Sequence, residues 1–147
     1  MIAWIKPAGY PDPSYNGILA YSGQVAVNSG TLLSIQNNGK LSQAFWNNDA
    51  AQTLGNPVTL NQWNFVGFVY SGGTTIDFYI NGNIVQSAAP LSGGIVAATT
   101  SAGPPARIGC TDNPGRCFNG QIEDAMIFNK ALTANQIQAL YNLDLSQ

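Results

Sequence analysis

Short apolar runs alternate along the chain with clusters of Gly, Asn, Pro and Ser. Such punctuation marks an all-β protein. Ten strands are expected: Ile2–Lys6, Ile18–Ser22, Val25–Asn28, Thr31–Gln36, Lys40–Trp46, Asn64–Tyr70, Thr75–Ile80, Ile84–Gln86, Ala106–Cys110 and Gln121–Phe128. Their spacing predicts a sandwich or barrel rather than βαβ units. The clearest signal runs from Thr75 to Gln86. Ile76, Phe78 and Ile80 alternate there with Asp77, Tyr79 and Asn81, a period of two. Asn81-Gly82 then offers the positive φ angles of a type I′ hairpin. Asn37-Asn38-Gly39 predicts a second hairpin.

One helix is expected near the C-terminus. Thr133-Ala134-Asn135-Gln136 reads as a capping box, in which the Thr side chain bonds forward and the Gln bonds back. Ile137, Leu140 and Tyr141 follow at helical spacing. A piece this short does not stand alone, so it should dock on a sheet or cover an end of the sandwich. Ser87–Pro105 is almost all Ala, Ser, Gly, Thr and Pro. It reads as a rim loop, with or without one short strand around Ile95–Thr99. No linker or repeat divides the chain, and residues 1–147 read as one domain.

Composition narrows the chemistry. Charged residues are 8% of the chain, against about 25% in an average globular protein. Five Lys and Arg face seven Asp and Glu, for a net charge of -2. That excludes a basic nucleic-acid groove, whose affinity comes from neutralised phosphates, and a polybasic membrane surface. The longest apolar run, Met1–Ile5, is far too short to insert in a bilayer. There is no histidine, so Ser-His-Asp and Cys-His sites and His-ligated metals are excluded within this chain. Polarity comes instead from amides, 16 Asn and 10 Gln, a surface that hydrogen-bonds without strong fields. The N-terminus shows no basic n-region or cleavage site, so no signal peptide is visible.

Three segments are candidate binding sites. Cys110 and Cys117 bracket Thr111-Asp112-Asn113-Pro114-Gly115-Arg116 between two expected neighbouring strands, where a disulfide could staple the strand ends. The closed loop is short, which puts its stabilisation toward the lower end of ~2–4 kcal/mol. The staple is either a plain clamp in an oxidising compartment or a device that holds Asp112, Asn113 and Arg116 rigid at a loop tip. A two-Cys metal site lacks further Cys or His ligands. The second segment is Phe45-Trp46-Asn47-Asn48-Asp49. Consecutive strand residues face opposite sides, so one ring should enter the core. The other is either packed under a loop or exposed, where it can stack on a sugar while the amides and Asp49 take hydroxyls. The third is Tyr10-Pro11-Asp12-Pro13-Ser14-Tyr15, a Pro-braced loop whose Tyr10 and Tyr15 either make contacts or fold over the sandwich end.

Four segments carry a family pattern. They are Ala3-Trp4-Ile5-Lys6-Pro7, Trp63 to Tyr70, Phe78-Tyr79-Ile80-Asn81-Gly82, and Arg107-Ile108-Gly109 followed by Phe118-Asn119-Gly120-Gln121-Ile122-Glu123-Asp124 running on to Leu132-Thr133. In this order they resemble the laminin-G-like branch of the concanavalin A-like lectin/glucanase superfamily. The resemblance implies an all-β jelly-roll sandwich of two antiparallel sheets, one concave, with one short C-terminal helix. It implies that Trp63, Val66 and Phe68 are core, and that Phe118–Phe128 is a central strand. It also implies an extracellular or cell-surface protein. Two features depart from the pattern. The acidic pair is Glu123 then Asp124, where the family has Asp then Glu. The family also has a strand before Ala3-Trp4, and none is expected here. A neighbouring strand would then show an open edge, filled by the C-terminal tail or by a second copy in a homodimer.

Glucanases of this fold carry E-x-D-x-x-E on one strand, which places two carboxylates on one face. This chain has one glutamate, Glu123, and its neighbour Asp124 should face the other way, so no catalytic residues are expected. The family also has members with rim calcium. Asp49 with Asn47 and Asn48, or Asp112 with Asn113, would supply oxygen ligands, although calcium needs 6–8. The expected function is a non-catalytic recognition module, for carbohydrate above all. The alternative is a protein-binding, adhesion or structural appendage domain without a sugar site.

Overall fold

A computed structural model describes residues 1–21, 30–45, 48–55, 57–90, 106–111, 113 and 115–144, with backbone alone at 48–52. The strands are β1 (Ile2–Gly9), β2 (Asn16–Tyr21), β3 (Thr31–Ile35), β4 (Leu41–Phe45), β5 (Asn48–Gln52), β6 (Asn64–Tyr70), β7 (Thr75–Ile80), β8 (Asn83–Pro90), β9 (Arg107–Ile108) and β10 (Asn119–Met126), and α1 spans Ala134–Asp144. They form two five-stranded sheets in the orders β10-β1-β6-β7-β8 and β5-β4-β3-β2-β9. Every pairing between strands is antiparallel. This is the expected jelly-roll sandwich.

The alternation of each strand builds two apolar layers. Ala3, Ile5, Leu33, Ile35, Leu41, Val66, Phe68 and Phe78 meet between the sheets. On the far side of the first sheet, Ile2, Trp4, Phe65 and Tyr79 pack with Ile137 of α1. The run Met1–Ile5 is continuous because β1 is covered on both faces. The helix starts as expected: the Thr133 N–H donates to Gln136 Oε1 at 2.9 Å, and the Gln136 N–H donates to Thr133 Oγ1 at 3.3 Å. Both hairpin turns also form. Asn81 and Gly82 have φ 50° and 77°, and Gly39 has φ 78°, with its N–H bonded to the Gln36 carbonyl at 2.9 Å.

Several expectations need correction. Trp63 is not core but 36% exposed. Strand β6 starts after it, at Asn64, whose side chain ties down the preceding turn through the Thr59 N–H and the Thr59 and Gln62 carbonyls. That bracket fixes the strand start and leaves Trp63 on the loop. The segment expected as a central strand over Phe118–Phe128 is at the edge of its sheet among the described strands, because β1 takes the place between β10 and β6. It is also bulged. Register shifts between Ile2 and Trp4, and Asp124 has φ 46°, so the simple alternation assumed for Glu123 and Asp124 is broken there; both carboxylates are exposed. Strand β5 was not anticipated; its sequence, Asn-Asp-Ala-Ala-Gln, has no apolar alternation, and it forms by pairing with β4. Strand β8 runs on to Pro90, past the start expected for the rim loop. The expected strands Val25–Asn28 and Ile95–Thr99 lie outside the described residues.

Candidate functional site

Antiparallel strands gather their connections at two ends, and the candidate segments divide between them. One end holds the β1–β2 loop and the segment between β9 and β10. There the disulfide Cys110–Cys117 forms, and Cys117 also bridges to Gly17 at the start of β2. The Arg116 carbonyl accepts the Thr111 N–H at 3.1 Å. These contacts draw the clamp against the Tyr10–Tyr15 loop, and the Arg116 guanidinium lies 5.2 Å over the Tyr15 ring, a cation–π contact. Tyr10 is a strut: its hydroxyl donates to the Val58 carbonyl at 2.9 Å and its ring packs on the core. The Asn113 N–H is held by Thr111 Oγ1 at 3.0 Å. So Tyr10, Tyr15, Asn113 and Arg116 share this end. Asp112 lies outside the described residues.

Asp12 braces the loop. Its Oδ1 accepts the N–H groups of Ser14 and Tyr15, both at 2.8 Å. The Tyr15 bond, before any other cause, holds its carboxyl below the ordinary carboxylate value of 3.8; burial opposes this, while the Ser14 bond and the Arg116 charge add to it. A depressed folded-state value means stability that is present above the unfolded value and lost as pH falls through the folded one. Asp12→Asn should therefore melt earlier than the wild type at neutral pH. The gap should close as acid titrates Asp12 below the ordinary value. Thermal melts from neutral pH to about pH 2 test this, and a gap constant across that range would refute it.

The other end holds a cleft of about 570 Å³ between the sheets. It opens where β2, β4 and β6 end and β3 begins, and the segment joining β10 to α1 walls it. Tyr21 and Thr31 stand opposite each other across β2 and β3 and line one side. Phe45 and Tyr70 line the interior, their rings edge to face at 6.2 Å. Phe128, Asn129 and Lys130 form the far rim. Tyr21 is 51% exposed and Phe128 40%, so two aromatic rings reach solvent beside an amide and a hydroxyl. Phe45 is the ring that enters the core, as one of the Phe45-Trp46 pair should. Trp46 and Asn47 lie outside the described residues, while Asn48 and Asp49 belong to β5 with side chains not described. Among the described residues no group of three His, Cys, Asp or Glu comes together to hold a metal.

Sequence reasoning missed Tyr21, Thr31, Tyr70, Phe128, Asn129 and Lys130. The pair Phe128-Asn129 carries the same aromatic–amide signal as Trp46-Asn47, but it was absorbed into an expected strand. The others are brought to the cleft only by strand pairing.

A family model described as the concanavalin A-like lectin/glucanases superfamily matches residues 1–138. The chain belongs to this superfamily. Among solved structures of the superfamily's fold, one titled a "putative carbohydrate binding protein" from Bacteroides ovatus is similar at 20% identity and a TM-score of 0.67, over 93% of this chain and 38% of that one. The chain thus spans well under half of that protein. A heptameric SAP-like pentraxin from Limulus polyphemus is similar at 19% identity and a TM-score of 0.58, over 95% of this chain and 67% of that one. At these identities the likeness is one of fold. No curated protein sequence matches.

Proposed function

We propose that the protein is a non-catalytic carbohydrate-recognition module and that the sugar sits in the end cleft. The observation that carries this is the pairing of exposed rings, Tyr21 and Phe128, with the polar groups of Thr31 and Asn129 around one opening. A sugar offers an apolar C–H face for the rings and hydroxyls for the polar groups. In this reading Trp46, Asn47, Asn48 and Asp49, which follow Phe45 in the chain, would extend the site. Tyr15, Asn113 and Arg116 then form a separate contact surface at the opposite end, with Tyr10 beneath it; Asp112, next to Asn113 in the chain, would add to it. Any calcium would be held by Asp49 or Asp112. The non-catalytic reading is supported by the exposed positions of Glu123 and Asp124 on a bulged edge strand. The disulfide supports a secreted or surface location.

Affinity should be weak, about micromolar to millimolar, because few groups are immobilised. A glycan array with calcium and with chelator, followed by calorimetry on Tyr21→Ala and Phe128→Ala, tests the proposal. Each variant should lose about tenfold or more in affinity while keeping the circular dichroism of the wild type. An empty array, or a glycan whose binding both variants retain, would overturn it. A second reading, protein binding, is favoured by Leu54, Leu60 and Trp63. All three are exposed on the loop between β5 and β6, Leu54 at 83%, far from the cleft.

A further inference from the structure

We infer that the end cleft selects a sugar bearing a carboxylate, such as a uronic or sialic acid; this rests on the carbohydrate reading above. Among the described residues lining the cleft, Lys130 is the one charged side chain, and none of them is a carboxylate. It is one of only five cations in the whole chain. Among the described residues it makes no ion pair or hydrogen bond, so its three donors are available to a ligand.

The second observation lies one row deeper. Gln43 is fully buried, pointing between the sheets beside Leu33. Its Nε2 donates to Thr31 Oγ1 at 3.3 Å, while its Oε1 has no partner. The opposite orientation of the carboxamide would leave a buried N–H group orphaned, and orphaned N–H groups are rarer than under-bonded oxygens. Thr31 therefore accepts a hydrogen bond from the protein interior. Its own O–H hydrogen remains free to donate into the cleft. Gln43 acts as a positioning residue: it turns the Thr31 hydroxyl into a donor.

The Lys130 ammonium and the Thr31 hydroxyl thus face a cavity that has the Asn129 amide on its rim and whose other walls include Tyr21, Phe45, Tyr70 and Phe128. The ligand that matches is acceptor-rich and anionic at one point, with an apolar face elsewhere. A neutral hexose supplies the face without the charge. A sugar acid supplies both, and its carboxylate makes the charge-assisted hydrogen bond that Lys130 is free to form.

The test is calorimetry with a panel of uronic-acid and sialic-acid oligosaccharides, each beside its carboxyl-reduced neutral counterpart. At least one acid should bind about tenfold or more tightly than its reduced partner. Lys130→Met should erase that difference, the acid falling to the affinity of its reduced partner. Thr31→Val should weaken the acid further, and raised salt should weaken the acid alone. If reduced and acidic sugars bind equally while Tyr21→Ala abolishes both, the cleft binds sugar and the carboxylate inference is wrong. If no sugar of either kind binds, the carbohydrate reading fails with it.

Discussion

Phe65→Ala should destabilise the protein by about 3–5 kcal/mol, the usual cost of emptying a large buried aromatic site. Phe65 is completely buried between the first sheet and α1. Its ring meets Trp4 edge-on at 5.3 Å and Tyr141 at 5.8 Å, and Trp4 stacks on Tyr141 at 5.6 Å. Removing it opens a void under the helix and strips one member from each of two ring contacts. Trp63→Ala, two residues earlier, should cost clearly less, about 1–2 kcal/mol, since Trp63 is already 36% exposed outside the core. Urea denaturation of both variants decides the matter. Equal losses would mean that the helix is not held by this aromatic layer.

Gly120→Ala carries the second large effect. Gly120 lies opposite Pro7 in the β1–β10 pair and has φ 152°. A Cβ there would run into the Lys6 carbonyl oxygen and lie 2.9 Å from Pro7 Cα and 2.8 Å from the Phe118 ring. Two of those obstacles are backbone of β1, held between β10 and β6, which cannot swing aside. The expected loss is about 2–4 kcal/mol, overpacking plus backbone strain. Gly115→Ala separates the two causes. Gly115 also has positive φ, 92°, but nothing lies within 4 Å of its Cβ position, so only strain remains, about 1–2 kcal/mol. If the two variants lose stability equally, close approach to β1 is not what demands glycine at 120. The result would also give a physical reason for the Phe118-Asn119-Gly120 pattern.

Legibility followed range. The Asn81-Gly82 turn, the Gln36–Lys40 turn and the Thr133–Gln136 capping box involve residues within four positions of each other. Their chemistry is complete in the local sequence. The pairing of Cys110 with Cys117 was equally plain, since the chain has no third cysteine. Strand β5 was invisible because nothing in Asn48–Gln52 prefers extension over a turn; β4 supplies the hydrogen bonds that extend it. The exposure of Trp63 depended on where Asn64 closes the preceding turn. A tryptophan beside Phe65, Val66 and Phe68 looks like core in one dimension.

The candidate site shows the same division. Tyr21, Thr31, Phe45, Tyr70 and Lys130 are spread over more than a hundred residues of chain, and no spacing rule links them. The sequence alone determined that the chain is built of β hairpins capped by one docked helix. It also determined that the chain holds a short disulfide and carries no histidine chemistry and little charge. Those properties reside in residue types and near neighbours. Tertiary structure decided that β1 is interior and that β10 lies at the edge of the described strands, that the Tyr15–Arg116 contact and the cleft lie at opposite ends, and that Lys130 shares an opening with Thr31. Those depend on which strands pair, and pairing is fixed by the combined burial of side chains from the whole chain rather than by any local segment.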